Sequence, residues 1–123
     1  MPLPDTILIV DDDPKTRDAM RSLLEDEGYC VATANDGREA LRVLLAGLSP
    51  CVIVMDMVMP VMDGVAFRTE QLKHPPIAAI PFIAYSGVID VRRAAEQLGA
   101  AGYIEKPSEF QYVLSIIRQH CKH

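Results

Sequence analysis

Five short runs rich in strand-forming residues alternate along this chain with segments of helical period, and this alternation constrains the fold more than any other feature. The runs are 6–10 (TILIV), 30–34 (CVATA), 52–55 (VIVM), 82–85 (FIAY) and 102–105 (GYIE). The first, third and fourth are almost wholly apolar. That pattern belongs to strands buried on both faces of a parallel sheet.

Helical segments fill the intervals. Asp13 is placed to cap the first, with Pro14 in its opening turn, Met20, Leu23 and Leu24 on its apolar face, and Gly28 at its end. Asp36 caps the second, where Ala40, Leu41, Leu44, Leu45 and Leu48 recur at helical spacing up to Gly47 and Pro50. A third is expected over 64–73, stopping ahead of Pro75 and Pro76 because a residue before proline is pushed out of helical geometry. A fourth, short helix is expected over 90–98. The last starts at a Ser108–Gln111 capping box and carries the stripe Phe110, Val113, Leu114 and Ile117.

Right-handed crossovers wind such βα units into a doubly wound parallel sheet with helices on both faces. Its functional crevice lies beyond the carboxyl ends of the strands. The connections are too short for a second domain and no repeat or linker interrupts the chain, so residues 1–123 are expected to form one α/β domain with no effector domain.

Composition narrows the function. With 12 basic and 17 acidic residues the formal charge is −5, and Lys and Arg gather nowhere, which argues against nucleic acid or a membrane surface as direct partner. The longest apolar run, 52–62, is broken by Asp and Pro and is too short to span a membrane. MPLPDTILIV lacks the basic region of a secretory signal, so a cytoplasmic location is expected. Cys30, Cys51 and Cys121 show no CxxC or metal-ligand rhythm and are expected as reduced thiols, at least two of them packed as small hydrophobes. His74, His120 and His123 form no catalytic or metal-binding set.

The acids fall where the crevice should be. Asp11, Asp12 and Asp13 follow the first strand, and Asp56 closes the third. If those strands are neighbours, Asp11, Asp12 and Asp56 converge, and their repulsion raises their pKa values unless a hard cation relieves it. An oxygen-only set with positions left for water suits Mg²⁺. Taken singly, Asp12 or Asp13 before Pro14 is an N-cap and Asp56 starts a turn toward Pro60. Neither local role explains carboxylates at the ends of two different buried strands. Ser86 follows the fourth strand and Lys106 the fifth. Acids, a hydroxyl and an ammonium together suit phosphoryl transfer onto a carboxylate, with Asp56 as nucleophile and Lys106 and Ser86 holding phosphoryl oxygens. No histidine stands at a strand end to serve a serine triad.

The ordered segments ILIVDD (7–12), VIVMDMVMPVMDG (52–64), IPFIAYSG (80–87) and LGAAGYIEKP (98–107) closely resemble the receiver domain of two-component response regulators, along nearly the whole chain. The resemblance implies a flavodoxin-like (βα)5 fold with parallel strand order 2-1-3-4-5. It implies that Asp56 accepts a phosphoryl group from a histidine kinase or histidine phosphotransfer protein. Asp11, Asp12, Asp56 and the backbone carbonyl of Val58 would hold Mg²⁺, with Mn²⁺ as a substitute. Ser86 matches the switch hydroxyl, Tyr103 the switch aromatic and Lys106 the family's lysine, and Lys106–Pro107 is where the family carries a cis peptide bond. The implied output is a switched surface read by a downstream protein, rather than enzymatic turnover, from a monomer or a weak phosphorylation-dependent dimer. Both a stand-alone receiver and a domain of a larger regulator or hybrid kinase fit; Met1 and the unbasic tail favour the former.

Departures from the family pattern bear on kinetics. Ser86 lacks the methyl of the commoner Thr and Gly87 replaces the usual Ala, so a slightly more open phosphate site is expected. Val58 and Val88 stand where polar residues often tune hydrolysis, and the apolar pair predicts slower attack by water. The stretch from Ser86 to Gly99 is short, which predicts a reduced fourth helix. Two other functions compete: a phosphatase of the haloacid dehalogenase type, which would need a second Asp where Val58 stands, and a receiver-like module that binds partners without phosphorylation.

Overall fold

The computed structural model describes residues 5–59, 61–87 and 90–121. Val88, assigned a role in hydrolysis, and Pro60 and His123 lie outside the described residues. Strands β1 (Thr6–Val10), β2 (Cys30–Ala34), β3 (Val52–Asp56), β4 (Phe82–Ser86) and β5 (Gly102–Glu105) form one parallel sheet in the order β2-β1-β3-β4-β5. This is the flavodoxin-like arrangement expected from the sequence. β1 runs beside β3 with Ile7 opposite Val52 and Val10 opposite Met55, so Asp11 and Asp56 leave the sheet together. β3 runs beside β4 with Asp56 opposite Tyr85, and β4 beside β5 with Ser86 opposite Glu105.

Helices α1 (Pro14–Asp26), α2 (Gly37–Leu45), α3 (Gly64–Leu72), α4 (Pro75–Ala78), α5 (Val91–Leu98) and α6 (Phe110–Arg118) cover the two faces. Because successive strand residues point to opposite faces, the core divides in two. Leu8, Val10, Ile53, Met55, Phe82 and Ala84 pack against Ala40 and Leu44 of α2, Phe67 of α3, and Val91 and Ala95 of α5. Ile7, Ile9, Val52, Val54, Ile83 and Ile104 pack against Met20 and Leu24 of α1 and Val113, Leu114 and Ile117 of α6. Every residue of β3 is buried.

Four helices start on an aspartate. Asp13, Asp36, Asp63 and Asp90 accept from the backbone N–H of Lys15, Glu39, Ala66 and Arg93 at 3.2, 2.9, 2.9 and 3.1 Å, each satisfying a donor that the helix cannot. Two expectations fail at helix ends. The Ser108–Gln111 capping box does not form: α6 has Glu109 at its N-cap with no side-chain cap, because the stripe beginning at Phe110 sets where the helix docks and Ser108 then falls one residue too early. The short helix α4 was not anticipated. Pro75 acts both as the stop for the preceding segment and as the first residue of a new turn. The helix expected over 90–98 is present as the eight residues of α5.

A buried polar pair on α3 also escaped notice in the sequence. The Arg68 guanidinium donates to the Leu98 and Gly99 carbonyls at 3.1 and 3.0 Å and to Gln71 Oε1 at 2.8 Å, and it lies 5.4 Å from the Phe82 ring centroid. Gln71 in turn donates to the Ile77 and Ile80 carbonyls at 2.9 and 3.1 Å. Arg68 thus supplies donors to the carbonyl end of α5, a favourable place for a cation, and every polar atom of the pair that would be costly to bury alone is matched. Arg68→Met should strand those carbonyls and lower the unfolding free energy by about 3 kcal/mol. A urea midpoint shifted to lower concentration at unchanged slope is the expected measurement.

Candidate functional site

The site lies at the carboxyl edge of the sheet. Asp11 and Asp56 are buried and Asp12 is exposed, and one carboxylate oxygen from each lies within 4.8 Å of the others. The two buried acids are held alike. Asp11 Oδ1 accepts from the N–H of Asp13 at 2.9 Å, and Asp56 Oδ1 from the N–H of Val58 at 3.1 Å. These local turns leave the second oxygen of each facing Lys106, whose Nζ is 3.4 Å from Asp11 Oδ2 and 3.5 Å from Asp56 Oδ2. Arg17 donates to the Asp11 carbonyl at 2.8 Å and pins the turn into α1.

Lys106 is placed from several sides. Its backbone N–H donates to the Ser86 carbonyl at 2.9 Å, which ties the end of β5 to that of β4, and its Nζ sits 4.3 Å from the Tyr85 ring centroid. The Lys106–Pro107 peptide bond is cis. A Cβ on residue 87 would stand 2.9 Å from Lys106 Cβ and 3.2 Å from its carbonyl oxygen, so Gly87 is what admits Lys106 this closely. The space left by the missing methyl at residue 87 is therefore taken by Lys106. Ser86 is buried beside it. Tyr103 is half-buried opposite Ala84, on the sheet face of the α2, α3 and α5 core.

Burial pushes the Asp56 carboxyl above the usual range, and the Asp11 charge adds to that; the Val58 N–H and the Lys106 charge oppose it without cancelling it. At Asp56 the expected rise is present, with desolvation rather than repulsion as its main cause. Burial acts to lower the Lys106 pKa, yet Asp11, Asp56 and Tyr85 together carry it above the normal value. The ammonium is thus charged at neutral pH beside a carboxylate that is costly to ionise.

Tyr85 and Arg17 are site residues that the sequence reasoning passed over. Tyr85 lies inside the IPFIAYSG segment, where strand alternation puts it on the opposite face from Ser86. Beside it a groove of about 360 Å³ runs between α1 and α6, lined among others by Lys15, Met20, Leu23, Ser108 and Phe110. Val58 and Val61, in the segment after Asp56, are exposed. Val61 holds φ at 68°, the left-handed region that costs an L-residue about 1–2 kcal/mol.

The profile of the response regulator receiver domain matches residues 7–118, and the chain belongs to that family. It is 41% identical over 118 residues to an uncharacterized 14.6 kDa protein of Leptolyngbya boryana, covering 94% of this chain and 88% of that one. It is 40% identical over 113 residues to a protein-glutamate methylesterase/protein-glutamine glutaminase of Methanococcoides burtonii; the match takes in 89% of this chain but 32% of the relative. The signal receiver domain of a Syntrophus aciditrophicus histidine kinase superposes with a TM-score of 0.83 at 32% identity, over 94% of this chain and 88% of that domain. Receivers are signalling modules, and no helix among the described residues is long and apolar enough to cross a membrane.

The raised Asp56 pKa has a sign that can be tested. A folded-state acid with a raised pKa binds more protons than the unfolded chain between the two pKa values, so stability falls as pH rises through that window. In metal-free protein, Asp56→Asn should therefore raise the melting temperature at neutral pH. The gain should vanish below about pH 4, where the wild-type carboxyl is protonated in both states. Thermal melts across that range, in chelator, are the check.

Proposed function

We propose that this chain is a phosphoacceptor: Asp56 takes a phosphoryl group from a histidine kinase or histidine phosphotransfer protein, and the modified edge is read by a downstream protein. The observation that carries this reading is Lys106 set between the Oδ2 atoms of Asp11 and Asp56, with Asp12 at the same edge. Three carboxylates against one ammonium leave excess negative charge at this edge, which fits a divalent cation; oxygen ligands from Asp11, Asp12, Asp56 and the Val58 carbonyl suit Mg²⁺, with Mn²⁺ as substitute. When bound, the cation offsets charge on carboxylate and phosphoryl group.

The protein's own groups do the rest. An Asp56 carboxylate oxygen attacks phosphorus, the bond to the donor nitrogen breaks, and an acyl phosphate forms. Lys106 exchanges a carboxylate partner for a phosphoryl oxygen, and the Ser86 hydroxyl donates to another. Ala84 is the small neighbour beside Tyr103 on the face shared with Ser86, which suits an inward movement of the ring once Ser86 is engaged. The groove beside Tyr85 offers a phosphodonor protein apolar contact near the nucleophile, edged by Lys15. The protein acts in the cytoplasm as a signalling module, not as an enzyme turning over phosphate esters.

Acetyl phosphate with Mg²⁺ should add one phosphoryl mass to the intact wild-type chain and none to Asp56→Asn. Addition to the Asn variant would remove Asp56 from its role. Val58, exposed and without a polar atom in its side chain, cannot orient an attacking water. Val58→Asn should therefore shorten the phospho-form half-life several-fold, read by loss of the added mass over time; an unchanged half-life would discard that role.

A further inference from the structure

We propose that Cys51 and Cys121 are a reversible dithiol–disulfide couple, a second modification site at the end of the sheet opposite the phosphoacceptor. The sequence predicts reduced thiols here, but the structure joins the two sulfurs across 70 residues, with Cα atoms 5.4 Å apart, and leaves Cys30 free and exposed. Parallel packing brings the start of β3 beside the end of α6, a proximity that spacing along the chain cannot reveal.

Both cysteines are held at bonding distance by their backbones. The Cys51 N–H donates to the Thr6 carbonyl at 2.9 Å, and the Cys121 N–H to the Ile117 carbonyl at 2.9 Å. Val113, Leu114 and Ile117 also dock α6 on the sheet through apolar packing that does not involve the sulfurs. The bond can thus open without dismantling the fold. An Asp5 carboxylate oxygen lies within 4.8 Å of both sulfurs.

Accessibility orders the steps. Cys51 is partly exposed, whereas Cys121 is 4% exposed. With a low-molecular-weight disulfide as oxidant, the Cys51 thiolate attacks one of its sulfurs and expels one thiolate, giving a mixed disulfide. The Cys121 thiolate then attacks Cys51 Sγ and expels the second. Two protein thiols are oxidised to the disulfide, one external disulfide is reduced to two thiols, and the two protons go to the departing thiolates. A dithiol reverses the sequence.

The full chain is treated with oxidised glutathione or with dithiothreitol, then denatured, alkylated and weighed. After oxidation Cys51 and Cys121 are expected to resist alkylation, with Cys30 either alkylated or carrying one glutathione, and all three are expected to be alkylated after reduction. Reduction should also lower the melting temperature by about 10 °C, the effect of opening so long a closed loop. Cys30→Ser should keep the full shift, and Cys51→Ser should lose it. Three alkylated cysteines after oxidation, a shift that persists in Cys51→Ser, or reduced protein that retains added zinc on Asp5, Cys51 and Cys121 in place of a disulfide would each overturn the proposal. None of these measurements involves phosphoryl transfer, so failure here is distinct from failure of Asp56 as phosphoacceptor.

Discussion

The complete burial of β3 is the constraint on which the rest of the structure depends. A strand covered on both faces requires a helix layer on each side, and short βα connections supply those layers only if the sheet is parallel. A parallel sheet has polarity: every strand ends at the same edge. Asp56 therefore emerges from the most protected strand into the one region where the neighbouring strand ends can surround it. Its environment follows from that position. Desolvation makes its ionised form costly, one oxygen is tied to its own turn, and Lys106 faces the other.

Rigidity around the nucleophile comes from several local devices. Asp11 and Asp56 use the same bond to the N–H two residues on, so both carboxylates are oriented by backbone. The Lys106 N–H holds β5 against β4, and Gly87 lets that approach close. Farther out, Arg68 links α3 to the carbonyl end of α5, the helix that follows Ser86 in sequence. The carboxyl edge carries the acids and the ammonium, whereas the opposite end carries Cys51 and Cys121.

Much of this was legible along the chain because it is local or periodic. Apolar runs marked the strands, and aspartates before helical periods marked the caps at Asp13 and Asp36. Acids, a hydroxyl and a lysine at strand ends marked the site. Elements decided by distant packing were hidden. Ser108 carries the signature of a cap, but docking of Phe110 and Val113 sets the register of α6. Arg68 and Gln71 read as polar helix residues, yet their partners are carbonyls as far as 31 residues away. Tyr85 reads as a strand aromatic, and only the path of β5 places Lys106 over its ring.

The sequence by itself determined the βα alternation, the strands that must be buried and the residue types available at their ends, because hydrophobic period, capping and backbone restriction act within a few residues of one another. Tertiary structure alone decided that β1 lies next to β3, that Lys106 stands between Asp11 and Asp56, and that Cys51 meets Cys121. Those are contacts across 45 to 95 residues, where no local propensity operates. They exist because packing helices on both faces of β3 gathers the ends of strands and helices distant in sequence at the two edges of one sheet.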